Sequence, residues 1–168
     1  IDGKKIELYI RLLKYLLIQN DDKTITKENN EFDINSLWKY GISGDNPIFL
    51  VKIKNIEDKY VIEDVVKAFD YYRAKRVVID LIILNEEENV YEKYIKDSID
   101  VIISNDQLDY LKGINGGIFI LNKDEVLKED LEVIEFKSRV ILDCSKHEIE
   151  SYIREREENE LISDRLKR

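Results

Sequence analysis

The sequence predicts a layered α/β domain: a mostly parallel sheet with flanking helices, an N-terminal helical arm and a C-terminal helix. Three observations carry this. Two apolar, β-branched runs, Ile48–Ile53 and residues 77–84, bracket a stretch of helical period at 57–75. Strands apolar on both faces belong to parallel sheets covered by helices, and strand–helix–strand in that order is a right-handed βαβ unit. Strand and helix patterns then keep alternating to the end of the chain, which is the pattern of a layered α/β fold.

The elements follow in order. Residues 5–19 place Ile6, Tyr9, Ile10, Leu13, Leu16 and Leu17 at i, i+3, i+4 spacing, and Leu8 and Leu12 widen the stripe, so this is an amphipathic helix that must lie against something. Residues 20–35 are polar and breaker-rich, a connector ending in a helical turn at Trp38. A Gly/Pro loop at 41–47 precedes the first strand, and Pro47 is tolerated at a strand start because the missing N–H costs least there. The helix at 57–75 buries Ile62, Val65, Val66, Phe69 and Tyr72 and carries Glu57 and Asp58 in its first turn, where the helix dipole favours anions. Residues 90–104 are expected to be helical at least through Ile99, although Val101-Ile102-Ile103 alone has the look of a strand. Residues 108–111 and 117–121 are expected as two strands around a tight reversal at Gly113-Ile114-Asn115-Gly116-Gly117. A helix within 122–136, starting near Asp124 or Asp130, a last strand at 139–143 and a charged helix at 146–165 complete the domain. The expected divisions are an arm and connector at 1–36, a Rossmann-like α/β domain at 37–145, and a helix or linker at 146–168.

Composition narrows the function classes. With 168 residues and 43% apolar side chains the chain can build one real core, and 38% charged residues cover its surface. No run approaches the roughly 20 apolar residues of a membrane span. The net charge of −9, with acids interleaved among lysines, argues against nucleic acid, which needs a basic stripe. The short clusters Arg73/Lys75/Arg76 and Arg165/Lys167/Arg168 are accounted for as solvated surface. The single Cys144 excludes an internal disulfide and fits a reducing compartment, so a cytoplasmic location is expected. The chain starts at Ile1 and contains no Met, and is read as a piece of something longer.

Known chemical motifs are scarce. The first strand–helix junction, Lys54-Asn55-Ile56-Glu57-Asp58, has no Gly and two acids, which repels phosphate where a nucleotide site would cradle it. Gly41-Ile42-Ser43-Gly44-Asp45 precedes its strand, the wrong end for an open α/β ligand site, whereas Asn85 and Glu86 fall at the correct, carboxyl end. His147 has no partner at metal or triad spacing, Ser43 lacks the nucleophile-elbow context, and Asp80 interrupts an apolar strand as a hydrogen-bonded structural acid. No cofactor and no metal site are expected. Trp38, Tyr40 and Phe49 could form a sugar platform or simply anchor the loop by packing.

The densest concentration of special residues is Leu37-Trp38-Lys39-Tyr40-Gly41-Ile42-Ser43-Gly44-Asp45-Asn46-Pro47-Ile48, which holds the sole Trp and sole Pro. Together with Tyr72-Arg73-Ala74-Lys75, Val78-Ile79-Asp80-Leu81-Ile82-Ile83-Leu84-Asn85-Glu86 and Gly116-Gly117-Ile118-Phe119-Ile120, it resembles a segment of bacterial cyclic β-1,2-glucan synthases. The related β-1,2-oligoglucan phosphorylases of glycoside hydrolase family 94, formerly described as cellobiose-phosphorylase-like, carry a similar segment. The resemblance runs from Leu12 to Asp143, with Tyr72 where the family has Trp and Arg76 where it has Gly. It implies a non-catalytic region preceding an (α/α) barrel that holds the catalytic acid. It further implies a parent glycosyltransferase or glycoside phosphorylase, and as partners the neighbouring domains and a β-glucan chain. Under it, Trp38, Tyr40, Gly44, Asp45, Asn85 and Glu86 are the candidate ligand contacts. The residues alone leave open a stand-alone Rossmann-like sugar or nucleotide binding domain, or an interaction module docking through the first helix.

Overall fold

The structure, a computed structural model, describes residues 2–18, 34–88 and 93–167. Strands β1 (Ile48–Ile53), β2 (Asp80–Asn85), β3 (Ile118–Asn122) and β4 (Ser138–Asp143) form one sheet in the order β3-β2-β1-β4, and every pair is parallel. Helices α1 (Gly3–Leu17), α2 (Asn35–Trp38), α3 (Lys59–Ala74), α4 (Tyr94–Asn105), α5 (Lys128–Lys137) and α6 (Ile149–Leu166) cover both faces. The expected parallel α/β layering is therefore present. The order reverses beside β1, since the chain winds outward to β3 and then returns to place β4 on the other side of β1.

Strand alternation explains the two cores. Phe49, Val51, Leu81, Ile83, Val140 and Leu142 face one way and pack with residues of α1, α3, α4 and α6. Leu50, Ile82, Leu84 and Phe119 face the other and pack with Leu37 of α2, Ile42, and Val133 and Ile134 of α5. Both central strands are apolar on both faces because helices cover both.

The N-terminal helix is built into the larger core. Asp2 caps it, accepting a hydrogen bond from the Lys4 N–H at 2.7 Å, and Tyr9, Leu12, Tyr15 and Leu16 are buried. Each such side chain contributes roughly 1.5–3 kcal/mol by leaving water. Its neighbour α6 runs alongside, joined by the bidentate Arg11–Glu157 pair at 2.8 and 2.9 Å. The Tyr72 hydroxyl donates to the Tyr9 carbonyl at 2.6 Å, tying α1 to α3. Of α6, Ile149 and Ile153 are buried, whereas Leu161, Ile162 and Leu166 are exposed.

Several expectations need correction. Residues 108–111 do not form a strand: Asp109–Leu111 is a 3-10 turn that sends Leu108 and Leu111, three apart, into the core. The loop after it is accordingly no hairpin, and Lys112 makes an isolated parallel bridge to Ile118. Two backbone devices enforce this path. Gly113 and Gly116 have positive φ, and Gly117 sits so close to the Leu111 carbonyl that a Cβ would lie 2.1 Å from it. The stretch Val101-Ile102-Ile103 is helical, its Ile102 and Ile103 buried on the stripe begun by Ile95 and Ile99. The second strand begins at Asp80, not residue 77, and α5 begins at Lys128 after a 3-10 turn, Lys123–Glu125. Most of the connector expected at 20–35 lies outside the described residues.

Candidate functional site

The six candidate contacts divide between opposite ends of the sheet. Trp38, Tyr40, Gly44 and Asp45 precede β1 and sit at the amino-terminal edge, while Asn85 and Glu86 end and follow β2 at the carboxyl edge. A six-residue strand spans roughly 16–20 Å, so the two groups cannot line one small-ligand site.

At the amino-terminal edge, α2 ends at Trp38 and the chain turns through Gly41, whose φ is +81°. Trp38 remains 57% exposed, so its ring is presented to solvent rather than packed as an anchor. Its indole Nε1–H donates to the Ser43 carbonyl at 3.2 Å, which fixes the ring against the loop. Gly44 has φ +83°, and a Cβ there would come 3.1 Å from Leu37 Cδ1, so the loop closes tightly on buried Leu37. The Asp45 N–H donates to Ser43 Oγ at 3.2 Å, and Asp45 itself is exposed.

Tyr40 goes elsewhere. Its hydroxyl donates to Asp130 Oδ2 at 2.6 Å and accepts from the Leu127 N–H at 3.2 Å, so it clamps the start of α5. Lys39 Nζ also reaches Asp130, at 3.2 Å. Burial opposes ionisation of Asp130, but hydrogen bonds from Tyr40, Ser36 and Lys39 outweigh it and hold the carboxyl below the usual range. Tyr40 is thereby a structural strut, and Asp130 is a buried acid that no sequence motif marks.

The carboxyl edge carries a crevice of about 570 Å³ lined by Asn85, Glu86, Glu87, Lys93, Asn122 and Lys123 among others. Asn85 Nδ2 donates to Asn122 Oδ1 at 3.2 Å, and Asn85 Oδ1 accepts the Glu87 N–H at 3.0 Å. Glu86 keeps 18% of its side chain exposed and pairs with Lys123 at 3.6 Å. Five carboxylates, Glu86, Glu87, Glu88, Asp124 and Glu125, share its walls with Lys93, Lys96 and Lys123. A second groove of about 990 Å³ runs between β4 and α6, with Lys52, Asp143, His147 and Arg156 on its walls. Several of its polar groups are engaged: Lys52 with Glu135 at 2.6 Å, the His147 imidazole with Glu155, and Arg156 with the Tyr152 hydroxyl and the Arg139 carbonyl.

Asp80, at the start of β2, is fully buried between the two loops of the amino-terminal edge. Its Oδ1 accepts the Gly116 N–H at 2.8 Å, while its Oδ2 has no hydrogen-bond partner among the described residues. Burial is the main cause that raises its pKa above the ordinary value. Sequence reading singled out Asp80 as a structural acid but missed Ser43, Asn46 and Asn115, which join it across the loops. Their signal was present only as turn composition. Cys144 is buried, and desolvation pushes its thiol up to about 12, which keeps it unreactive at neutral pH.

No family model matches the chain. The chain is similar to the cyclic beta-(1,2)-glucan synthase NdvB of Rhizobium meliloti (strain 1021), at 28% identity over 110 residues, or 63% of this chain. It spans only 4% of that protein's length. The similarity bears on the glucan-synthase side of the expected resemblance and not on the phosphorylase side.

Proposed function

We propose that this chain is a non-catalytic α/β module of a large bacterial carbohydrate-active enzyme that makes β-linked glucans. In this reading it braces the catalytic domain against neighbouring domains, and its Trp38–Asp45 face touches the glucan chain. The similarity to a glucan synthase carries the proposal. The local geometry supports the contact: the exposed indole, held by its N–H to the Ser43 carbonyl, and the exposed residue Asp45 belong to the same loop at one edge of the sheet. Sugar rings pack their C–H faces on exposed aromatic rings while carboxylates accept their hydroxyls, so ring and acid together suit a neutral polysaccharide. Asn85 and Glu86, at the far edge, would form a separate contact with a neighbouring domain or a distal part of the chain.

Trp38 is the sole tryptophan, so tryptophan emission, excited at wavelengths where tyrosine does not absorb, reports on this face alone. Titration with β-1,2-glucan is expected to change that emission saturably, and Asp45→Ala to weaken the response. An emission unchanged by glucan would overturn the contact. Incubation of the chain with glucan donors or with β-1,2-glucan and phosphate is expected to yield no product. Turnover would overturn the non-catalytic assignment.

A further inference from the structure

Four hydrogen bonds connect buried Asp80 to exposed Trp38. Asp80 Oδ1 accepts from Asn46 Nδ2 at 3.4 Å, and the same Nδ2 donates to Asn115 Oδ1 at 2.7 Å. Asn115 Oδ1 also accepts from Ser43 Oγ at 3.1 Å, and the Ser43 carbonyl receives the Trp38 indole N–H at 3.2 Å. The Gly116 N–H, one residue from Asn115, closes the set on Asp80 Oδ1. Two loops far apart in sequence, 41–47 and 113–117, therefore meet over one carboxyl group.

We propose that Asp80 is the positioning residue of the Trp38 face: through Asn46, Asn115 and Ser43 it holds the loop that presents the indole, and its proton sets how firmly the loop is held. This rests on the glucan-contact reading for its biological use, but the linkage itself needs no ligand.

The physical argument is one of unequal satisfaction. The ionised carboxylate would be buried with one oxygen wholly unpartnered, a costly arrangement for a charge. Among the described residues no cation offsets it. The charged group with a resolved influence is Asp45 of the facing loop, which disfavours ionisation further. The Asp80 backbone N–H is taken by the Pro47 carbonyl just before β1, and the 113–117 loop presents the Gly116 N–H to the carboxyl group directly and Asn115 through Asn46, none of which titrates. On the α2/α5 side Lys39, Tyr40 and Asp130 are occupied with one another. The bonds from the Gly116 N–H and Asn46 Nδ2 favour the ionised form, but burial outweighs them, so the closed site on balance favours the neutral acid. Because the folded value is raised, that stabilisation is full below the unfolded aspartate pKa and is lost as pH rises through the folded one. Above that point, water must reach the carboxylate, and the 41–47 loop loosens.

The test is a pH titration of the ligand-free protein by ¹⁵N–¹H NMR, following the single indole N–H signal and the Gly116 amide. Both are expected to shift with one common midpoint lying above the usual aspartate range. In Asp80→Asn, which keeps the Oδ1 acceptor but does not titrate, neither should move over that range. In Asn46→Ala the Gly116 amide should still titrate while the indole no longer follows it. Asp45→Asn should lower the common midpoint. A wild-type indole signal that is flat, or one that titrates unchanged in Asp80→Asn or Asn46→Ala, overturns the proposal. If Asp80→Asn does not fold, Asn46→Ala and Asp45→Asn decide. A coupled titration alongside an inert glucan titration would sink the glucan contact and leave the linkage standing; the converse would do the reverse.

Discussion

Truncating Leu16 to Ala tests whether α1 belongs to the domain core or merely lies near it. Leu16 is fully buried, in a core layer shared with Tyr9 and Leu12 of its own helix and with residues of α3 and α6. Removing its three side-chain carbons beyond Cβ forfeits their transfer energy and leaves a cavity, for a combined loss of about 2–5 kcal/mol. For a chain of this size each kcal/mol moves the melting temperature by about 2–4 °C, so a central loss of about 3 kcal/mol lowers Tm by about 6–12 °C. Ile10 on the same helix is 53% exposed, and Ile10→Ala is expected to change stability by no more than about 0.5 kcal/mol. Urea denaturation followed by far-ultraviolet circular dichroism measures both. A Leu16→Ala loss below about 1 kcal/mol, or one equal to that of Ile10→Ala, would refute the docking of α1 on this core. The apolar face of α1 would then be free for another domain, which changes what the module braces and how.

Two further outcomes follow from the buried polar groups. Asp130 is held below the usual carboxylate range, so its stabilisation is present above the unfolded pKa of about 3.9 and lost as pH falls through the lower folded value. Tyr40→Phe, which deletes the 2.6 Å hydrogen bond to it, should cost about 1–2 kcal/mol at pH 7, and the deficit should shrink near pH 3. A deficit equal at both pH values would show that the hydroxyl acts on something other than the ionised acid. Cys144, buried and with its thiol pushed up to about 12, should resist iodoacetamide at pH 8 in the native protein and react fully in denaturant. Rapid native labelling, read by mass spectrometry, would place the thiol outside the core.

Much of the fold was legible because periodicity reports burial directly. The double-faced apolar runs at β1 and β2 and the stripes of α1 and α3 could only be sandwiched strands and amphipathic helices. Residues 108–111 failed for a definite reason: Leu108 and Leu111 fit a short strand and a 3-10 turn equally well, and the choice fell to backbone. Gln107 at φ 59° and Gly117 wedged against the Leu111 carbonyl admit only the turn. The candidate site was half legible. Rare residues marked the 41–47 loop, but nothing in their spacing showed that Tyr40 turns inward to Asp130 while Trp38 turns out.

The sequence by itself determined the α/β layering, the helix and strand faces and the absence of a phosphate-cradling first loop, because each is a local property of neighbouring residues. Only the tertiary structure decided that the two groups of candidate contacts occupy opposite edges of the sheet. It also decided that Asn46 and Asn115 converge on Asp80 and that Asp130 is sealed by Tyr40 and Lys39. Those facts depend on strand order and register, which bring together residues dozens of positions apart through the packing of both sheet faces, an interaction no short window of sequence contains.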